Sequence, residues 1–270
     1  LDFDEPFTNL LCQGMVLDEH GDVMSKSKGN VIAPEDMIAA YGADAVRAYI
    51  LFMAPPDKEL LWNEDGLAGM YKFLNRLWRV VNDLVGKADE ETLFQAGADS
   101  AQVAEAAKVL KRERHRIVEK VANDFDRDNF NTAIAAIMEL VNAAGDYLRV
   151  ASADDCDAQF SREIADVLVK LIAPIAPHFA EELWSDVLEG AGFISEQAWP
   201  TFDPEQAKAD EVELAVQVNG KVKMHIKVAA GASKDEIQDE AMKIMGDSLD
   251  GKEIKKVIIV PSRLVNIVVK

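Results

Sequence analysis

Apolar positions change their spacing twice along this chain. Leu10, Leu11, Met15, Val16 and Leu17 precede a turn at His20-Gly21-Asp22, a pattern that predicts strand, turn and strand. Pro34 followed by Glu35 and Asp36 suits the first turn of a helix, because proline has no N–H to lose there, and Gly42 suits its end. A second helix is predicted from about Asp44 to Met53, with Val46, Tyr49, Ile50 and Met53 on one face, until Pro55-Pro56 stops it. From Gly66 to about Leu188 the period is helical. Leu67, Met70, Tyr71, Leu74, Leu77, Trp78, Val81 and Leu84 recur at intervals of three and four. Further helices are predicted over 101–123, 131–150 (with Ile134, Ile137, Met138 and Val141 inside) and 161–172, and after Pro177. Their connections are short except over 86–100, so a bundle of four or five antiparallel helices follows.

Past 204–211 the period becomes that of strands. Val212 to Val218 alternates, and Asn219-Gly220 tolerates the positive φ that a type I′ turn needs at both central positions. Val222, Met224, Ile226 and Val228 alternate on the return. Ser233 with Glu236 is a capping box opening a helix to about Met245, and Val257–Val260 and Val265–Val269 close as strands. This is a ββαββ module near the lower size limit for independent folding. The expected fold class is therefore α+β and multidomain. A short α/β segment over 1–65 precedes a predominantly α-helical bundle over 66–204, and the small ββαββ domain occupies 211–270.

Composition adds limits. The 270 residues are 49% apolar, which is globular, and no stretch reaches the ~18 uninterrupted apolar residues of a membrane span. Cys12 and Cys156 cannot build a disulfide framework, and no Cys/His cluster suggests zinc. A cytoplasmic chain is expected, and Leu1 in place of Met reads as a cut in something longer. The net charge of −19 argues against indiscriminate nucleic-acid binding. It is unevenly spread: residues 211–270 carry ten bases and nine acids, so the rest holds a net of −20. The tail is a different physical object from what precedes it.

The sharpest candidate for chemistry is the loop Met24-Ser25-Lys26-Ser27-Lys28-Gly29. Its hydroxyls, two cations and close-turning glycine suit a polyphosphate, whose developing negative charge a fixed cation would stabilise. It is not a Walker A loop, since GxxxxGK[ST] is absent. Met24-Ser25-Lys26-Ser27 resembles the second signature motif of the class I aminoacyl-tRNA synthetases, with Val23 where the usual form has lysine. Lys28-Gly29-Asn30-Val31, Pro34, Tyr41-Gly42-Ala43-Asp44 and Arg47 follow as in that family. Ala54-Pro55-Pro56, Leu61-Trp62, Phe73–Trp78, Asn129–Ile134, Leu171–His178, Gln217–Lys221 and Val260–Asn266 resemble its leucyl branch in bacteria. None of His20, His115, His178 and His225 forms the family's first signature, His-x-Gly-His, so the chain reads as a C-terminal portion without its nucleotide-binding half.

The resemblance implies a bundle of the class Ia anticodon-binding type and a parent leucine–tRNA ligase, with the portion by itself inactive. Leucine and ATP, with Mg²⁺, would give leucyl-adenylate, and leucine would pass to the 2′-hydroxyl of the terminal adenosine of tRNA(Leu). Lys26 would be catalytic, meeting the ATP phosphates, with Val23, Met24, Ser25 and Ser27 shaping the ATP-binding loop. No metal ligand is expected, and no cofactor is expected to bind this portion alone. Two basic groups are candidate tRNA contacts. One is the helical run Lys108, Lys111, Arg112, Arg114, Arg116 and Lys120, in which His115 is read as a surface histidine. The other is the tail set Lys221, Lys223, Lys227, Lys252, Lys255, Lys256, Arg263 and Lys270, where 221, 223 and 227 share one strand face. His178 is read as structural, and a monomer with no membrane partner is expected. The alternatives are a valyl-, isoleucyl- or methionyl-tRNA synthetase portion, or a non-catalytic RNA-binding module.

Overall fold

The computed structural model describes residues 4–87, 93, 99–151, 156–208, 211–230, 232–249, 254–260 and 263–270. It is a mixed helix-and-sheet chain whose contacts group into two units, 1–207 and 208–270. No helix among the described residues is long and apolar enough to cross a membrane.

The first unit begins with β1 (Val16–Leu17). Its partner is not the strand expected after the turn, for Leu17 makes a single antiparallel bridge with Val23. β1 pairs in parallel with β2 (Leu60–Leu61) instead. The reason is local: the Asp18 carboxylate accepts from the N–H groups of His20 and Asp22, which closes the turn too tightly for a longer ladder. Gly14 is needed beside this pairing, because a Cβ there would stand 1.9 Å from the Lys58 carbonyl oxygen.

Helix α1 (Pro34–Tyr41) ends as expected at Gly42, φ 85°, whose N–H reaches the Ile38 carbonyl at 2.8 Å. α2 (Ala43–Met53) buries Asp44, Ala45, Val46, Ala48 and Tyr49. Ile50 and Met53, expected inside, are exposed. The two alanines turn the buried face toward themselves, since small side chains let helices approach closely. Tyr49 fixes the crossing, as its hydroxyl accepts from the Asn63 N–H at 2.7 Å and its ring meets Trp62 edge-on.

α3 (Glu64–Leu84) starts where the Asn63 side chain caps the N–H groups of Asp65 and Gly66. With α4 (Ser100–Phe125), α5 (Phe130–Val150) and α6 (Ala158–Ile172) it encloses the core of the bundle. Leu67, Leu77, Ile117, Ile134, Ile137, Leu140, Leu148 and Ile164 are fully buried there, each contributing ~1.5–3 kcal/mol of apolar burial. Tyr71, expected on the inner stripe, is exposed. α7 (Pro177–Glu182) follows and runs into one π-turn over 183–187. α2 joins this same core, so packing is continuous across residue 65. Polar contacts add to that join. Asp44 accepts from the Phe179 N–H at 2.6 Å and pairs with His178 Nδ1 at 3.0 Å, while Arg47 donates to the carbonyls of Pro174 and Ile175.

The second unit has sheet order β4-β3-β6-β5, with β3 (Glu211–Val218), β4 (Lys221–Ala229), β5 (Ile254–Val260) and β6 (Leu264–Val269). β3 and β6 run parallel and the outer pairs antiparallel. Asn219 and Gly220 take φ 48° and 79°, as the hairpin turn requires. α8 (Lys234–Leu249) opens on the Ser233–Glu236 capping box and lays Ile237, Ala241 and Met245 on Leu214, Val216, Ile226, Val265 and Ile267.

Candidate functional site

The loop 23–29 hangs between two polar anchors. Asp18, 9% exposed, takes the backbone N–H groups of His20 and Asp22 on one oxygen and Asn30 Nδ2 on the other, the last at 2.7 Å. Asn30 in turn accepts from the Ser25 N–H at 2.9 Å and donates to the Val23 carbonyl at 3.4 Å. The Asn30 amide, and after it the Asp22 and His20 N–H groups, hold the Asp18 carboxyl below the usual carboxylate range. Inside the bracket, Ser25 Oγ meets Ser27 Oγ at 3.2 Å and accepts from the Lys28 N–H, and Gly29 closes the turn at φ 71°.

The two lysines of the loop differ. Lys28 Nζ lies 3.1 Å from Asp22 Oδ1, an exposed pair of small energetic weight. Lys26 is exposed and pairs with no carboxylate among the described residues. Val23 is exposed and Met24 half-buried. Beside the loop lies an open cleft of about 720 Å³, lined by Asp18, His20, Asn30, Trp62, Asn63 and Asp65 among others. Reading the sequence by residue type singled out the cations and missed Asp18 and Asn30 as the groups that shape the loop. An aspartate four residues before Asp22 and an asparagine just past the glycine were the only signal.

In the basic run on α4, Arg112, Arg114, Arg116 and Lys120 are paired with acids. Arg116 bonds Glu113 at 2.5 Å and Glu139 at 2.6 Å, Arg112 bonds Glu113, and Lys120 pairs with Asp124. The Arg114 side chain is 12% exposed, with Glu163 at 2.7 Å. Lys111 stays exposed. His115 is not the surface histidine expected: it is buried, and Nδ1 accepts from the Asp203 N–H at 3.1 Å and lies 2.8 Å from Arg114 Nη1. Burial, then the Arg114 charge, push its pKa down.

In the second unit Lys221, Lys223 and Lys227 are exposed on β4, but they do not share one face as expected: a bulge at Lys223 breaks the alternation, so that Lys221 stands opposite Val218 on the side of α8 while Val222, opposite Gln217, is turned out and 52% exposed. Lys255 and Lys256 are exposed at the start of β5, on the opposite edge, and Arg263 at the β5–β6 turn. The tail cations therefore occupy two edges rather than one patch, positions where lysines also deter edge-to-edge pairing. Lys252 lies outside the described residues.

Two family models match this chain: the class I tRNA synthetases (I, L, M and V) over residues 1–63, and the anticodon-binding domain of tRNA ligase over 107–238. It is 44% identical to a leucine–tRNA ligase of Fervidobacterium nodosum over 100% of its own length and 32% of the relative's. A leucine–tRNA ligase of Petrotoga mobilis is 40% identical over 99% of the chain, again 32% of the relative. The chain thus spans about a third of the curated relatives it matches. Among solved structures, the LeuRS–tRNA–LeuAMS ternary complex of Agrobacterium radiobacter superposes with a TM-score of 0.72 at 31% identity, covering 100% of this chain and 34% of that one.

Proposed function

The chain is homologous from end to end to a segment making up about a third of the leucine–tRNA ligases, and from that premise we propose that it supplies a phosphate-contacting lysine and tRNA-binding surfaces to such a ligase. Leucine and ATP give leucyl-adenylate and pyrophosphate, and leucine then passes to tRNA(Leu). Residues 1–65 form the end of the catalytic domain, 66–204 the anticodon-binding-type bundle and 211–270 a small tRNA-binding domain. The protein acts as a cytoplasmic monomer.

The observation that carries this reading is the contrast between the two loop lysines. Lys28 is paired with Asp22, whereas Lys26 has no carboxylate partner among the described residues and projects from a loop tied at both ends. A cation that has no carboxylate to give up is free to meet negative charge as it moves onto the leaving pyrophosphate. ATP arrives with Mg²⁺, which draws charge from the phosphates. In this chain the loop residues Val23, Met24, Ser25 and Ser27 present Lys26 to the phosphates. Exposed Phe7, Leu10, Leu11, Met15 and Val31 give the same segment an apolar surface suited to packing on the rest of a ligase.

The test is pyrophosphate exchange by a leucine–tRNA ligase carrying this segment. Lys26→Ala lowers the rate by ~10²–10³, the usual loss of one transition-state donor. An unchanged rate removes Lys26 from the chemistry.

For tRNA, the contacts are Lys111 and Arg112 on α4, and Lys221, Lys223, Lys227, Lys255, Lys256 and Arg263 in the second unit, met mainly as phosphate contacts. Arg112, Arg114 and Arg116 reach tRNA only by giving up Glu113, Glu163 and Glu139. Binding of this chain to tRNA(Leu) and to an unrelated tRNA across a salt series checks the assignment. Lys223→Ala with Lys227→Ala lowers the slope of log K against log salt by about 1–2. A slope that stays the same takes β4 out of the interface.

A further inference from the structure

The loop that carries Lys26 has few means of holding its shape. α1, which follows it, buries no residue, Val23 and Val31 at its flanks are exposed, and the apolar hold on the loop comes from half-buried Met24 and Ile32 against the bundle core. Besides the Leu17–Val23 bridge and the exposed Lys28–Asp22 pair, the bonds that tie residues 23–30 back to the turn before them run through two side chains. Asn30 grips the start of the loop through the Ser25 N–H and the Val23 carbonyl, and Asp18 grips Asn30. Asp18 is meanwhile fixed from its own side by the N–H groups of His20 and Asp22, and Asp22 holds Lys28. The Asp18–Asn30 bond therefore spans twelve residues and closes a ring around the loop.

We propose that Asp18 and Asn30 are positioning residues that act as a latch, setting the loop so that Lys26 meets the phosphates. This rests on the reading of Lys26 given above. The chemistry of the two side chains makes the pair reciprocal. In Asn30→Asp a second carboxylate faces Asp18, and in Asp18→Asn two amide NH₂ groups face each other, so each single change opens the latch. The exchange of both, Asp18→Asn with Asn30→Asp, rebuilds the bond between positions 18 and 30 and gives up only the long 3.4 Å bond from residue 30 to the Val23 carbonyl. Asn at 18 keeps an oxygen for the His20 and Asp22 N–H groups and gains a donor, while Asp at 30 keeps an oxygen for the Ser25 N–H and gains an acceptor.

The experiment reads two things. On this chain, limited trypsin cleavage after Lys26 and Lys28 reports loop order under native conditions, with the thermal midpoint of the first unit as the fold control. In a leucine–tRNA ligase carrying the segment, pyrophosphate exchange reports Lys26 placement. Each single variant raises the cleavage rate and lowers kcat about tenfold, the scale of a lost hydrogen bond to a charged group, with KM for leucine unchanged. The double variant returns both to within about threefold of the parent. If a single variant lowers the thermal midpoint, Asn30→Ala, which removes the bonds without setting like groups together, takes its place. Singles that cleave and turn over like the parent overturn the latch, and so does a double variant as impaired as the singles. Loss of exchange in Lys26→Ala without loss in the latch variants overturns the latch alone. No loss in Lys26→Ala overturns the reading beneath it, whatever the cleavage rates show.

Discussion

Two stretches of the first unit put apolar residues to opposite uses. Between Phe7 and Ile38 most large apolar side chains face outward, Leu10 being 72% exposed, and only half-buried residues such as Met24, Ile32 and Met37 rest on the core. From Leu67 to Ile172 the same residue types line one closed core, where Leu77 and Ile137 are fully buried. The bundle is thus ordered by burial, a non-directional force shared over many side chains. The signature segment is ordered by a few directional bonds around Asp18 and Asn30. A region held that way opens at lower free energy than a packed core.

The contrast can be broken most directly by truncating one leucine in each stretch. Leu77→Ala lowers the unfolding free energy of the first unit by ~2–5 kcal/mol, the cost of a core cavity. Leu10→Ala changes it by about 0.5 kcal/mol or less. Urea titrations that gave equal losses would mean the outward stretch is packed after all.

A smaller effect lies at the join between the two stretches. Asp44→Ala strips the Phe179 N–H and His178 of their acceptor, which costs ~1–3 kcal/mol. Hydrogen exchange should quicken at Phe179 more than at Ile137. Equal protection at both would show that the Asp44 contacts add nothing to the packing.

His115 sharpens the comparison from the bundle side. Its pKa is pushed below the ordinary 6.5 by burial and by Arg114. The unfolded chain therefore takes up its proton first as pH falls through about 6.5, and stability declines from there until the folded imidazole titrates too. Above that pH the contribution is constant. Thermal midpoints from pH 7.5 to 5.5 should fall, and His115→Gln should flatten the trend. A steady midpoint in the parent would refute this.

The smallest effect belongs to the loop surface. Lys28→Ala removes an exposed pair with Asp22, worth ~0–1 kcal/mol, and should leave the thermal midpoint of the unit where it was. A shift of several degrees would show the pair to be more than a surface contact.

Much of this was legible in the residues. The intervals of three and four in α3 and α5, the Pro34 start, the Gly42 end, the Asn219-Gly220 hairpin and the Ser233–Glu236 box are short-range patterns. The chain folds along them because backbone sterics and local capping decide them within a few residues. The lysines of the loop and of β4 were visible for the same reason, since charge is a property of the residue type. Long-range partnership was decided elsewhere. That β1 pairs with residues 60–61, that Asp18 reaches Asn30, that Arg114 turns to Glu163 and that His115 is sealed by Asp203 all depend on groups brought together from distant positions. Periodicity says which face of an element is apolar. Only the packed molecule settles what that face meets, because burial rewards any close-fitting apolar surface, whereas each buried polar group needs one particular partner within about 3 Å.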